Sequence, residues 1–325
     1  MLRLSSLGDV ILTLPVVRAL ARAYPNARIH YWTKEEYAEV VRHDPAIAHV
    51  RALERDARRL EDLVSMAAEL EDADLIVDLH GNTRTRLLTF RQKAPVLRAP
   101  AFRLRRVAQV RARALRPTPP PTALQRFAAA LAPLALVASD APQVSAPVEA
   151  ETWAATWLEE WTGGERPVAL LPGARHFTKR WPEEHWVALL DGLLSSGRAV
   201  VCCSTAAEKS VFPAMAARLA AAPHARWCTE SLPRIAAVLS RASAAVSCDS
   251  GLMHLAAARG ARVVALFGST APELGFAPAG EGHVVLCRHE PCQPCTLHGR
   301  ESCPKGHFRC MRLITAEQVR EALRL

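Results

Sequence analysis

The sequence predicts an α/β protein of two tandem Rossmann-like domains facing a central cleft, and three features point to it. Short apolar runs of strand type alternate with stretches of helical spacing in the first part of the chain. The segment SDAPQVSAPVEA (residues 139–150), rich in Pro, Ser and Ala and without periodicity, interrupts them. The alternation then restarts at RPVALLP. Strands alternating with helices build a parallel sheet covered on both faces. The reading divides the chain into a domain over 1–140, a linker over 141–150 and a second domain over 151–325.

In order, MLRL reads as a short strand, and Val10, Ile11, Leu14, Val17, Leu20 and Tyr24 keep the spacing of one helix. ARIHYW is a strand, Lys34 opens a helix, and a strand lies near Ile47. A helix runs through Leu60, Leu63 and Leu70, LIVDL is a strand, and helices continue through the arginine-rich stretch that follows. In the second domain the strands are RPVALLP, RAVVCC, ARWC, AAVSC and RVVALFG. The helices are Glu183–Ser196, Ala206–Ala221, Leu232–Arg241 and Gly251–Arg259, with a last one over residues 315–325. Tandem domains of this kind place ligands at the carboxyl ends of their strands. Neither carries G-x-G-x-x-G after its first strand, which argues against a dehydrogenase.

The N-terminus has no signal-peptide pattern, and the longest apolar run, Phe127–Ala138, is broken by Pro133 and too short for a membrane span. The expected location is cytoplasmic, where the nine cysteines stay reduced. Cys202, Cys203, Cys228 and Cys248 lie in or beside apolar runs and read as small core residues. The net charge is +9, yet no acid occurs between Asp78 and Asp140, where twelve Lys and Arg are found. That block fits either a solvated helix face or a polyanionic partner, such as nucleic acid, anionic lipid or a phosphorylated glycan.

Four stretches could bind or react. SSLGD follows the first strand; Ser6 and Gly8 shape the turn, and Asp9 is either a helix cap or a general base for a hydroxyl. PGARHFTKRWPEEHW leaves the second domain's first strand, with Lys179 and Arg180 able to neutralise a departing diphosphate. SCDSGLMHLAAARG joins a buried strand to a helix. Ser250 could cap that helix, Gly251 permits close approach of an anion to its free amides, and Asp249 suits a sugar or ribose hydroxyl better than a phosphate. LHGNTRTR, with His80, Asn82, Arg84 and Arg86, could hold an acceptor. Near the end, Cys287 precedes a cysteine loop (287–310) in which C-x-x-C at Cys292 and Cys295 is followed by Cys303 and Cys310. This is either a set of free thiols or a structural zinc clip.

Taken in order, SSLGDVILTLPVVRAL, VDLHGNTRTRLL, LLPGARHFTKRWPEEHW, SCDSGLMHLAAARG with VVALFGST, and CPKGHFRCM resemble the glycosyltransferase family 9 enzymes, the heptosyltransferases of lipopolysaccharide synthesis. The resemblance implies the GT-B fold and transfer of a heptose from ADP-heptose to the inner core of lipopolysaccharide, with inversion and without a metal. It implies an acceptor site in the first domain, Ser6, Gly8, His80, Asn82, Arg84 and Arg86 being its candidates, and Asp9 as base. For the donor it implies Lys179, Asp249, Ser250, Gly251, Leu252 and His254, with Arg180 beside them and Glu208 near the ribose. The basic block would then meet an anionic glycan at the cytoplasmic face of the inner membrane, and nucleic acid is not an expected partner. Relatives usually carry several more apolar residues before the Ser-x-x-Gly-Asp loop, which implies a start upstream of Met1. The alternatives are a transferase of this fold with another nucleotide sugar or glycan acceptor, and a basic, zinc-clipped nucleic-acid-binding protein. The latter is disfavoured because the basic block offers only Phe90, Phe102 and Phe127 for base stacking.

Overall fold

The computed structural model describes residues 1–54, 65–115 and 117–324. Leu60 and Leu63 of the expected helix, Arg116 of the basic block and Leu325 lie outside the described residues. The chain forms two compact units: Met1–Phe102 with Pro121–Ser145, and Arg103–Pro120 with Ala146–Leu325.

In the first unit two parallel strand pairs meet at one residue. β1 (His30–Lys34) pairs with β2 (His49–Leu53), and β3 (Ile76–Asp78) with β4 (Val96–Arg98). The expected strand MLRL is reduced to Leu2, which bridges Trp32 of β1 and Asp78 of β3 and is fully buried. The next helix is split. α1 (Leu7–Leu12) stops at Thr13 and α2 (Leu14–Ala23) starts again with Pro15 in its first turn, where the missing N–H costs no hydrogen bond. The Thr13 hydroxyl fills the break, donating to Val10 O and meeting the Tyr31 hydroxyl at 2.6 Å. α3 (Glu35–Arg42) follows β1; α4 (Thr83–Leu88) and β4 follow β3, and β4 interrupts the helical stretch expected there.

The arginine block is divided between the two units. α5 (Arg103–Arg111) lies in the second unit's first segment, where Arg106 stacks on Phe276 at 5.6 Å and Arg113 Nε donates to Pro291 O at 3.1 Å. α6 (Ala123–Ala128) returns to the first unit and buries Arg126. Arg98 donates to Thr89 Oγ1 at 2.6 Å. Part of the positive charge is therefore built into the fold.

The second unit opens with α7 (Val148–Thr162), a helix that starts inside the expected linker. Ala150, Ala154, Leu158 and Trp161 bury one stripe of it, and Gly163, at φ +61°, ends it. Six parallel strands then form one sheet in the order β10-β9-β8-β5-β6-β7. They are β5 (Val168–Leu171), β6 (Val200–Cys203), β7 (Ala225–Cys228), β8 (Ala244–Cys248), β9 (Arg262–Phe267) and β10 (Val284–Cys287). Every residue of β5, β6 and β8 is buried, as continuous apolar runs in a doubly covered sheet require. Helices α8 (Glu183–Ser195), α9 (Ala206–Lys209), α10 (Pro213–Ala221), α11 (Leu232–Ser240) and α12 (Gly251–Ala258) connect them. The stretch expected as one helix over 206–221 breaks into α9 and α10 because Pro213 cannot donate a helical hydrogen bond. Trp186, Leu189, Leu190 and Leu193 of α8 sit in the core beside Trp181. Each such side chain stabilises by about 2 kcal/mol on burial.

After β10 the chain runs through the cysteine loop to α13 (Arg309–Arg312) and α14 (Ala316–Leu323). This last stretch is part of the core: Trp181 Nε1 donates to Ile314 O at 2.9 Å, and Arg262 of β9 donates to Leu323 O at 2.7 Å. Among the described residues no helix is long and apolar enough to cross a membrane.

Candidate functional site

The strand order of the second unit reverses between β5 and β8, so the crevice beyond their carboxyl ends is where such a sheet takes a ligand. β5 ends in Leu171 and leads to Gly173; β8 ends in Cys248 and leads to Asp249, Ser250 and α12. Lys179 reaches this point from a 3-10 turn (Phe177–Lys179), with Nζ 2.8 Å from Asp249 Oδ2. Thr270 donates to the same oxygen at 2.6 Å. The carboxylate expected to meet a sugar hydroxyl is thus already engaged by a lysine and a threonine.

Ser250 occupies the N-cap position of α12, yet its hydroxyl makes no capping bond. The oxygen is buried and has no hydrogen-bond partner among the described residues. The cap reading of Ser250 is therefore corrected: its extended backbone starts the helix, and the hydroxyl is left over. Gly251 and Leu252 form the first turn, whose amides are free as at any helix start, and His254 is buried one turn in.

Arg180 is tied to its own loop, its Nε donating to Ala174 O at 2.8 Å. Trp181 is buried in packing against Trp186 and offers no face to a base. Glu208 closes a capping box with Thr205 at the start of α9, Oε2 accepting from Thr205 N and Oγ1 at 3.0 Å each. Its other oxygen lies over Gly173, where a side chain would overlap the carboxylate. Gly173 is glycine because Glu208 comes that close, and Glu208 thereby stands at the end of β5.

The residues behind the Lys179–Asp249 pair are not evident from local patterning. Thr178 and Ser269 join their hydroxyls at 2.8 Å, and Arg300 N donates to Thr178 Oγ1 at 2.8 Å. Gln293 Nε2 donates to Gly268 O at 2.6 Å and to Thr270 O at 2.9 Å. The cysteine loop therefore grips both segments that hold the pair. The polar GST following the apolar strand RVVALF is the one sequence signal for this support.

A second cluster lies in the first unit. The loops after Leu2 and after β3 are neighbours: Leu79 N donates to Leu2 O at 3.1 Å and Arg3 Nη1 to Leu79 O at 2.6 Å. Asp9 Oδ2 accepts from Arg3 Nη2 at 2.7 Å, from Ser6 Oγ at 3.0 Å and from Ser6 N at 3.4 Å. Burial alone would raise the Asp9 carboxyl, but the Arg3 guanidinium and the Ser6 donors outweigh it and hold it below the usual carboxylate value. Burial, then the charge of Arg3, pushes His80 down to about 4, so its imidazole is neutral; its buried Nδ1 has no partner. Gly8 is buried in the first turn of α1. Asn82 caps α4 through Thr85 N at 2.9 Å, and Arg84 meets Met66 Sδ at 3.7 Å. Arg86 remains exposed, with one weak contact to Gly81 O at 3.5 Å.

Cys292, Cys295, Cys303 and Cys310 line one small cavity together with His307, Thr178 and Ser269. Burial, followed by the other three cysteines, pushes the Cys310 thiol up to about 12. Among the described residues, however, no group of three or more His, Cys, Asp or Glu side chains is arranged to hold a metal ion. The zinc clip expected from spacing is not supported by this geometry: the four thiols share a cavity without forming a ligand set.

Two parallel α/β units, the second carrying an engaged lysine and an open helix start at its switch point, are the build of a GT-B glycosyltransferase. The comparisons agree. The family model described as glycosyltransferase family 9 (heptosyltransferase) matches residues 64–304. Lipopolysaccharide heptosyltransferase 1 of Pseudomonas aeruginosa is 31% identical over 308 residues, spanning 91% of this chain and 85% of that one. The crystal structure of a family 9 glycosyltransferase from Veillonella parvula superposes with a TM-score of 0.81 at 21% identity, covering 99% of this chain and 94% of the other. An E. coli heptosyltransferase with ADP-2-deoxy-2-fluoro heptose gives 0.66 at 21% identity, covering 99% and 97%. The chain belongs to glycosyltransferase family 9, the heptosyltransferases. It is a transferase, and the nucleic-acid-binding alternative is set aside.

Proposed function

We propose that this enzyme transfers a heptose from ADP-heptose to the inner core of lipopolysaccharide, with inversion and without a catalytic metal. The observation that carries the donor half is the Lys179–Asp249 pair beside the unbonded Ser250 hydroxyl at the start of α12. Lys179 and the α12 amides supply positive potential where a diphosphate gains charge as it leaves. Ser250 donates to a phosphate oxygen, and Glu208 beside Gly173 receives the ribose hydroxyls. The donor named with the E. coli relative is of this class.

The first unit takes the acceptor. Asp9 Oδ1, which takes none of the three bonds made to Oδ2, accepts the proton of the acceptor hydroxyl. The hydroxyl oxygen bonds to the anomeric carbon as the bond to the diphosphate oxygen breaks, and the electron pair leaves with ADP. One displacement inverts the carbon. Arg84, Arg86, His80 and Asn82 border the acceptor, and Arg86 is exposed to meet its anionic groups at the cytoplasmic face of the inner membrane.

The direct test mixes the protein, ADP-heptose and heptose-free lipopolysaccharide in the presence of a chelator. Release of ADP with one heptose added to the acceptor mass is the expected result. Turnover with a different nucleotide sugar, and none with ADP-heptose, would sink the donor assignment.

A further inference from the structure

Arg3 lies outside every binding motif, yet its side chain is held at several points in the first unit's cluster. Its backbone N donates to Trp32 O at 3.0 Å, which fixes it beside β1. Its Nη1 is anchored on Leu79 O at 2.6 Å, and its guanidinium lies over the Phe127 ring at 5.1 Å. Its Nη2 is aimed at Asp9 Oδ2 at 2.7 Å, while its buried Nε has no hydrogen-bond partner among the described residues. Both side chains are largely shielded, at 12% and 16% exposure, where water screens the pair less than it would at an open surface.

We propose that Arg3 is a positioning residue for transfer, fixing the Asp9 carboxylate by one oxygen so that the other faces the acceptor hydroxyl. This rests on the reading of Asp9 as the base. A free carboxylate rotates and presents either oxygen. Here Oδ2 receives the guanidinium and both Ser6 donors, so its orientation is set before an acceptor arrives. The arrangement has a cost: a carboxylate held ionised by a cation is a weaker base, and the gain is that it stays unprotonated in mildly acidic solution.

Other charged and titratable groups surround it. Tyr31 and Lys34 lie on β1, Asp78 and His80 at the end of β3, and Arg126 on α6, stacked at 5.7 Å on the ring that Arg3 covers. His80 is neutral, and Tyr31 is pushed above its usual value by burial. Of these, Arg3 makes the ion pair with Asp9.

The experiment measures kcat/KM for heptose transfer against pH in the full-length protein and in Arg3→Met, Arg3→Lys, Ser6→Ala and Asp9→Ala, with ADP affinity measured by calorimetry. In Arg3→Met, ADP binds within about twofold of the parent, while the acid limb moves to higher pH, so that activity at pH 5.5 relative to pH 7.5 falls about threefold further. Arg3→Lys keeps the charge and leaves the acid limb near the parent position. Ser6→Ala shifts it upward by less, and serves in place of Arg3→Met should that variant not fold. A uniform loss at every pH in these variants, with the acid limb where the parent has it, would overturn the proposal and leave Arg3 a packing residue. Asp9→Ala separates the two readings: if it still transfers heptose, the base assignment fails, whatever Arg3 does.

Discussion

Lys179 Nζ stands 2.8 Å from Asp249 Oδ2, and both side chains are mostly shielded, at 15% and 8% exposure. Removing one partner of a shielded pair strands the other charge, which costs about 3 kcal/mol. Asp249→Ala is therefore expected to lower the melting temperature clearly, and to weaken ADP binding about tenfold because Lys179 loses its aim. Calorimetry and thermal unfolding on the same sample check both; unchanged ADP affinity would mean that Lys179 is held without Asp249.

Asp9→Ala addresses the first unit. General-base catalysis is worth about 10²–10⁴-fold, so kcat should fall by that order. ADP affinity should stay within about twofold, because the residues proposed to hold the donor belong to the second unit. Loss of ADP binding in this variant would contradict a role confined to the acceptor hydroxyl.

Ser250 and Thr315 make a matched pair of tests. The Thr315 hydroxyl accepts from Gln318 N at 3.2 Å and caps α14. Thr315→Ala should cost about 1 kcal/mol and leave donor binding alone. Ser250→Ala removes a hydroxyl that caps nothing, so stability should hold while ADP affinity falls several-fold. The opposite pattern in denaturant titrations and calorimetry would return Ser250 to a capping role.

The pH dependence of stability follows from His80, whose folded pKa of about 4 lies below the ordinary 6.5. Between these values the unfolded chain binds a proton that the folded one does not. The part that His80 contributes should be full above pH 6.5 and fall as pH drops toward 4, and His30 and His283, which burial also lowers, act in the same direction. Asp9 adds a loss at lower pH, because its carboxyl is held below the usual 3.8. His80→Leu should flatten the upper part of this fall; a melting temperature that declines equally in that variant would assign the effect elsewhere.

The central strands of the second unit were legible because VALL, VVCC, AAVSC and RVVALF are unbroken apolar runs, which a doubly covered parallel sheet demands, whereas the edge strand β10, only half-buried, was missed. α7 was not, since its Trp and Glu residues follow a Pro-rich stretch that reads as linker. β4, with Val96 and Leu97 only half-buried, carries too weak a pattern among arginines. Asp9, Lys179, Asp249 and Ser250 could be named from local motifs, because strand-to-helix junctions announce themselves by Gly, Ser and Asp. What those side chains bond to could not. The Lys179–Asp249 contact, the turn of Arg180 onto Ala174 and the grip of Gln293 on Gly268 join distant segments, and spacing along one chain does not encode them. The four cysteines share one cavity, and among the described residues no three or more of them are grouped as metal ligands.

The hydrogen bond from Trp181 to Ile314 spans 133 positions. A ribosome working at 5–20 residues per second emits the Lys179 loop several seconds before the carbonyl that anchors its neighbour. During that interval the sheet strands can assemble, but Trp181 waits for its partner, and Thr178 waits for Arg300 in the same way. A nascent or C-terminally shortened chain thus lacks both the carbonyl that anchors Trp181 and the amide that holds Thr178, so the loop carrying Lys179 takes its final form last.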